Sequence, residues 1–183
     1  MLEFLNNGSV AAFVGAFAAF FLVMATDLRR RYRTRRLLRL LVSDNLDHAR
    51  NKLEAVKMNR ALFIQDRRIT DAPIMRFPTQ LIRDTQTQVL DLLSANEMQS
   101  TNVLLYWMEA IDDMIGKGIA SASEIKRLEK VKAPDEAKAL EAKDYVEIMG
   151  EAEKNLGYLI KLCESYVQGR TYEIIEFTHP VDP

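Results

Sequence analysis

The chain has 183 residues, a formal net charge of −1 and a single cysteine. This length allows one domain with a substantial core, and the lone cysteine excludes an intrachain disulfide. The near-neutral total hides a separation of charge. Residues 27–39 hold seven arginines and one aspartate, whereas residues 40–183 hold 18 basic and 24 acidic side chains.

The first predicted element is an uncharged apolar stretch from Val10 to Ala25, which weakly polar neighbours extend to 19 residues, Gly8 to Thr26. As a helix, this stretch would be about 28 Å long, close to the hydrocarbon thickness of a bilayer. We therefore predict a transmembrane helix over residues 10–26, preceded by an external tip at residues 1–9. A buried core helix and a cleaved signal peptide are the alternatives. Positive charge that lies only after the stretch favours an uncleaved signal anchor.

An arginine-rich juxtamembrane segment is predicted over residues 27–39. Its clustered arginines are Arg29, Arg30, Arg31, Arg33, Arg35 and Arg36. Positive charge on this flank predicts that the C-terminal side lies in the cytoplasm and the N terminus outside the cell (inner) membrane. Because such a cluster attracts anionic lipid headgroups, a bilayer with anionic headgroups is the expected partner. The acidic remainder of the chain would repel a nucleic acid, so none is expected.

Two patterns predict packing between helices. Small residues recur every four positions in the apolar stretch, a spacing that lets two membrane helices approach closely and favours a homo-oligomer. A seven-residue apolar repeat follows, which fits a coiled coil or, as the preferred interpretation, one side of an intramolecular bundle. The residues of the first pattern are Ala11, Gly15 and Ala19, and those of the second are Val42, Leu46, Ala49, Leu53, Val56 and Phe63.

No glycine or proline occurs between Ala16 and Ala72. The transmembrane helix is therefore predicted to continue as a rod to about Ile69, where the two prolines of Asp71–Pro78 end it and form a loop. Residues 40–170 are predicted to form a cytoplasmic helical bundle. The expected fold class is all-α, with a single N-terminal transmembrane helix that continues into this bundle.

After the loop, the first predicted helix runs from Thr79 to Ala95, and the two helices on either side of Ser94 to Asn102 could also be continuous. The next helix runs from Glu97 to Lys117 and is stopped by Gly116 and Gly118.

The C-terminal part is predicted from its caps and stops. Ser121 or Ser123 caps a short helix that Pro134 ends. A last long helix follows over Asp135–Gln168, with Gly169 as its stop. Thr171 to Phe177 has the composition of a strand, so residues 171–183 are predicted to form a short extended tail.

Two arrangements of polar residues are candidate sites of chemistry. Asp44 and His48 share a helical face, but two ligands do not make a metal site, and a solvent-facing pair is favoured. Glu109, Asp112 and Asp113 lie close together, although an acid/base role would require one of them to be buried. No glycine-rich phosphate loop or nucleophile motif occurs. We therefore expect no enzyme activity, no cofactor and no metal, and Cys163 is expected to be a core thiol.

These patterns favour a single-pass membrane-anchored protein whose cytoplasmic helical bundle acts by protein–protein interaction, as a scaffold, regulator or signal transmitter. A homo-oligomer and an unidentified protein partner are expected. The alternative is a pore-forming or membrane-perturbing effector that assembles through the transmembrane helix, although residues 10–25 offer no polar face to line a pore. A third hypothesis is an enzyme that uses carboxylates and arginines which the sequence alone does not assemble.

Overall fold

The computed structural model describes residues 8–70 and 74–176, with side-chain surroundings for residues 12–70 and 74–174. This described part is all-α, as predicted, and contains five α-helices, one 3₁₀ turn and no strand. The helices are α1 (Gly8–Asp66), α2 (Thr79–Gln88), α3 (Ala95–Lys130), α4 (Asp135–Val167) and α5 (Thr171–Glu176), and the 3₁₀ turn spans Leu90–Leu92.

Helix α1 contains 59 residues without a break, which corresponds to a length of about 88 Å. The prediction that one helix continues out of the apolar stretch is confirmed. The helix ends at Asp66 because Arg67 adopts a left-handed φ of 56° and its N–H donates to the Phe63 carbonyl at 3.0 Å. This cap ends the helix before the prolines of the loop are reached, so they are not the cause of its end.

Helix α4 is the central helix because it packs against both α1 and α3. Phe63 of α1 stacks edge-on against Tyr145 of α4, with ring centroids 4.7 Å apart, and Trp107 of α3 does the same with Tyr158 at 5.1 Å. The N-terminal end of α3 meets α1 near Arg35, whereas α4 ends there. Helices α1 and α3 therefore run in the same direction, and α4 runs in the opposite one.

A break separates α2 from α3, so the prediction of a helix through Ala95, or of one continuous across Ser94 to Asn102, is wrong. Ser94 is the N-cap of α3: its hydroxyl accepts the Glu97 N–H at 3.3 Å, and the Glu97 carboxylate accepts the Ser94 N–H at 2.9 Å. This reciprocal capping box satisfies two helix-terminal donors and fixes where the helix starts.

Helix α3 passes through Gly116 and Gly118, so the prediction that these glycines stop a helix is wrong. A Cβ at position 118 would lie 2.8 Å from the Met149 sulfur, and glycine here allows α3 and α4 to approach closely. Ser121 and Ser123 are also inside α3 rather than at a cap. The Ser121 hydroxyl donates to the Glu141 carbonyl of α4 at 3.2 Å.

Helix α4 matches the predicted range to within one residue, and Gly169 is its stop as predicted. Gly169 has a φ of +81°, and the Arg170 N–H donates to the Ser165 carbonyl at 2.8 Å, which together form a left-handed C-cap.

The strand-like prediction is wrong over residues 171–176, which form α5. Ile174 of α5 is fully buried, and the Ser100 hydroxyl of α3 donates to the Thr171 carbonyl at 2.9 Å. Burial against α3 and α4 thus outweighs the local preference of the segment. The remainder of the predicted tail, residues 177–183, lies outside the described residues. Of the predicted tip at residues 1–9, residues 1–7 also lie outside them, and residues 8 and 9 belong to α1.

Candidate functional site

The apolar segment of α1 is exposed along its whole described length. Every side chain from Ala12 to Thr26 is exposed, and Phe13, Leu22 and Val23 each expose 69–71% of their surface. Within the part of the chain that the structure describes, α1 is the one helix long and apolar enough to span a membrane, with a window of mean hydropathy 1.6. A continuous apolar surface of this kind marks a site that contacts lipid or another protein.

The predicted small-residue face lies on this exposed segment. A Cβ at Gly15 would meet nothing within 4 Å, and Ala19 is exposed. The side chain of Ala11 lies outside the described residues. Phe13, Phe17 and Phe21 stack along the helix, with successive ring centroids 5.9 and 4.8 Å apart. A contact between two copies through this face stays a prediction.

Burial along α1 begins at Thr34 and Leu38, which expose 7% and 1% of their surface. Thr34 lies eight residues after Thr26, about 12 Å along the helix axis. The bundle therefore starts a short distance beyond the apolar segment. The residues of the seven-residue repeat lie in the core that α1 forms with the rest of the chain: Val42, Ala49, Val56 and Phe63 are at most 1% exposed, Leu46 is 7% exposed and Leu53 is partly buried.

The six clustered arginines are all exposed, and two of them form ion pairs. Arg31 pairs with Asp27 of the same helix at 3.1 Å. Arg35 pairs with Glu97 of α3 at 2.7 Å. The other four, which have no ion pair within the described chain, are Arg29, Arg30, Arg33 and Arg36.

The ion pair between Arg35 and Glu97 joins α1 to α3 at the end of the bundle nearest the apolar segment. Glu97 is only 15% exposed and also belongs to the capping box of α3, so one carboxylate holds both the start of α3 and the side of α1. Close by, the hydroxyl groups of Thr101 and Tyr166 are 2.9 Å apart and join α3 to α4. The arginine-rich segment is consequently fixed in position relative to the bundle.

The acidic cluster of α3 is divided between two ion pairs. Asp112 is partly buried, with 9% of its side chain exposed, and forms an ion pair with Lys52 of α1. Its second oxygen accepts the Phe77 N–H at 2.7 Å. The Lys52 nitrogen lies 3.9 Å from the centre of the Phe77 ring. Burial lowers the pKa of Lys52 below its usual 10.5, against the opposing effect of the hydrogen bond to Asp112. Glu109 pairs with Arg83 of α2 at 3.1 Å.

The sequence interpretation missed Lys52, although a signal for it exists. Asn45, Lys52 and Asn59 are spaced seven residues apart beside the apolar repeat, and all three are at most 5% exposed. A polar repeat in register with a buried seam indicates side chains that need partners inside the bundle.

The remaining candidates lie apart from one another. Asp44, His48 and Asp113 are exposed, and the described residues contain no group of three or more histidine, cysteine or acidic side chains that could hold a metal. Cys163 is fully buried, and burial raises the pKa of its thiol to about 12. It is therefore a protonated core residue at neutral pH.

Comparison of the chain with protein-family models, curated proteins and solved structures finds no match. The observations define a class: an all-α protein in which one helix near the N terminus is long and apolar enough to span a membrane.

Proposed function

We propose that the protein is a single-pass membrane-anchored protein whose cytoplasmic helical domain acts by protein–protein interaction, as a scaffold, regulator or signal transmitter, and assembles as a homo-oligomer. One observation carries the proposal. Helix α1 continues without a break from an exposed apolar segment into the buried core of the bundle. The apolar segment needs a cover, whereas the seven-residue apolar repeat farther along α1 is already covered by the same chain.

Lipid is the cover that best fits the apolar segment. Transfer of one large apolar side chain out of water is worth about 1.5–3 kcal/mol. The segment exposes eight such residues: Phe13, Val14, Phe17, Phe20, Phe21, Leu22, Val23 and Met24. The arginines that follow favour a cytoplasmic position for the bundle at the cell (inner) membrane. The arginines without ion pairs are then placed to contact anionic headgroups.

The rigid connection between the apolar segment and the bundle supports a role in signal transmission. No glycine or proline interrupts α1 from Ala16 to Asp66, and the Arg35–Glu97 contact attaches α1 to α3. A rotation or shift of the membrane segment is therefore carried directly into the bundle. The absence of a polar side chain among residues 12–25 makes an anchor the better interpretation than a water-filled pore.

The assembly part of the proposal is tested by the mass of the full-length chain in a mild uncharged detergent, measured by light scattering. A mass that is a multiple of the 21.0 kDa chain is expected. Gly15→Ile should reduce the mass to that of one chain, because a branched side chain separates helices that meet at small residues. Leu22→Ile, which keeps both volume and hydropathy, is the matched control and should leave the mass unchanged.

The partner is sought by cross-linking the tagged full-length chain in cells before detergent is added. A defined protein that cross-links to the wild-type bundle is expected. A stable monomer to which no protein cross-links would contradict the interaction proposal.

A further inference from the structure

A groove of about 460 Å³ lies at the base of the bundle, between α1 and the end of α4. Tyr32, Arg36, Arg39 and Ser43 recur at intervals of three or four residues, so they lie along one face of α1. Val167 of α4 forms the facing wall. We refer to this cavity as the base groove. Its volume falls within the range of about 300–1,000 Å³ that small-molecule sites occupy.

The base groove carries positive charge that the chain itself does not neutralise. The guanidinium group of Arg35 at its edge is paired with Glu97. Arg36 and Arg39 line the groove and have no ion pair among the described residues. Arg39 lies against the turn that follows α4. One terminal nitrogen of Arg39 would be only 2.9 Å from a Cβ placed at Gly169.

This set of donors matches a phosphate group. A guanidinium presents parallel N–H donors that bind a phosphate through two hydrogen bonds, and two such groups lie three residues apart on one helix. The hydroxyl groups of Tyr32 and Ser43 add two further donors. The apolar walls supplied by Leu40 and Val167 can contact the remainder of an organic ligand.

We propose that the base groove binds a phosphate-bearing small molecule that enters from the aqueous side of the membrane. The source of the ligand, though not the binding itself, rests on the membrane anchoring proposed above. Arg36 and Arg39 lie 10 and 13 residues after Thr26, about 15 and 20 Å along the helix axis. A tilt of about 40° shortens these depths only to about 11 and 15 Å.

Lipid headgroups do not reach this depth. The headgroup layer extends about 5–8 Å beyond the hydrocarbon on each side of a bilayer. The phosphates of the bilayer therefore meet residues 29–33, which include Tyr32 at the membrane end of the base groove. Arg36 and Arg39 lie beyond them, open to water. A soluble phosphate compound is the occupant that fits this position.

The test uses full-length protein in uncharged detergent at about 0.15 M salt, where diffuse charge effects are screened beyond about 8 Å. Inorganic pyrophosphate is the probe, and titration calorimetry is the measurement. Saturable binding to the wild-type chain is expected. Because a hydrogen bond to a charged group is worth about 1.5–3 kcal/mol, loss of the two groove guanidiniums in Arg36→Gln/Arg39→Gln should weaken binding at least about tenfold. Both side chains are exposed, and an unchanged melting temperature confirms that the variant folds.

The matched control is Arg30→Gln/Arg33→Gln, which removes the same charge from the same helix outside the groove. It should change the pyrophosphate affinity by less than about threefold, the effect of diffuse charge alone. Equal weakening by both double variants would overturn the proposal, as would the absence of pyrophosphate binding to the wild-type chain.

Nanodiscs distinguish the two sources of phosphate. Pyrophosphate should bind to protein in discs of neutral lipid and in discs that contain anionic lipid, with at most the modest weakening that the negative surface potential of anionic lipid causes. If anionic lipid abolishes pyrophosphate binding to the wild-type chain, lipid phosphate occupies the groove and the aqueous source is wrong. A chain that binds pyrophosphate in detergent but does not insert into discs would contradict the anchoring and leave the phosphate site supported.

Discussion

Lys52 and Asp112 form the buried contact on which the junction of α1, α3 and the loop before α2 depends. Removal of one partner from a buried ion pair leaves the other charge without compensation, at a cost of about 3–5 kcal/mol. Asp112→Ala should therefore lower the melting temperature by about 10 °C, measured by circular dichroism in detergent. The double variant Lys52→Met/Asp112→Leu should regain only part of this loss, because the Phe77 N–H still lacks its acceptor. A double variant no more stable than Asp112→Ala would show that the uncompensated charge of Lys52 is not the cause of the loss.

The lowered pKa of Lys52 predicts a pH dependence with a definite sign. Since burial lowers this pKa in the folded chain, the unfolded chain binds the proton more tightly. The free energy of unfolding then rises as pH increases between the folded-state pKa and the usual value of 10.5. Buried tyrosines and Cys163 have raised pKa values and act in the opposite direction, so the wild type is compared with Lys52→Met from pH 8 to 10. The wild type should gain stability relative to the variant over this range, and a relative loss would contradict the assignment.

Cys163 should be unreactive while the chain is folded. Its pKa of about 12 leaves almost no thiolate at pH 8, and full burial denies access to a reagent. An aromatic disulfide reagent should therefore label it only in denaturant, as followed by absorbance. Rapid labelling of the native chain would contradict its place in the core.

At the scale of the residue, the sequence indicates which side chains are candidates for a site, but not which side chains form pairs. The apolar neighbours of Cys163 in the sequence indicate a core thiol. The three acidic residues Glu109, Asp112 and Asp113 lie close together in the sequence. The partner of Asp112 is 60 residues away, and only the packing of α1 and α3 against α4 brings the two together. The identity of the buried carboxylate therefore required the tertiary structure.

At the scale of the helix, Gly169 and Gly157 predict opposite results for the same substitution. Gly169 has a φ of +81°, and a Cβ there would collide with Arg39, so Gly169→Ala should cost at least about 1 kcal/mol. Gly157 is inside α4, and a Cβ there would meet nothing within 4 Å. Gly157→Ala should stabilise the chain by about 0.5–1 kcal/mol. Both changes in stability are to be measured from melting curves. Destabilisation by Gly157→Ala would show that residue 157 contacts another molecule, because nothing in the single chain lies near its Cβ position.

Several errors in the predicted helices arise where packing decides, although the capping box of Ser94 and Glu97, a local signal, was also not recognised in the sequence. The sequence correctly predicts Gly169 as the end of a helix, because glycine itself favours the left-handed conformation found there. Gly118 was mistaken for a stop because its role is to admit Met149 from another helix. The segment from Thr171 was mistaken for a strand because the buried position of Ile174 against α3 and α4 is a tertiary property.

At the scale of the whole molecule, the sequence predicts the all-α class from its helical periods and the continuous α1 from the absence of glycine and proline between Ala16 and Ala72. Both depend on residues close in sequence. The sequence did not predict that α4 would lie between α1 and α3, since the order of helices in a bundle depends on which apolar faces fit together. The base groove was also beyond prediction, because Val167 reaches it from a helix more than 100 residues later in the chain.

The central claim is that the exposed apolar segment of α1 lies in a bilayer. The direct test expresses the full-length chain, washes the membranes at alkaline pH without detergent, and measures its partition by ultracentrifugation. The account expects the chain in the membrane pellet, with release only by detergent. Full-length chain that remains in the supernatant would contradict it.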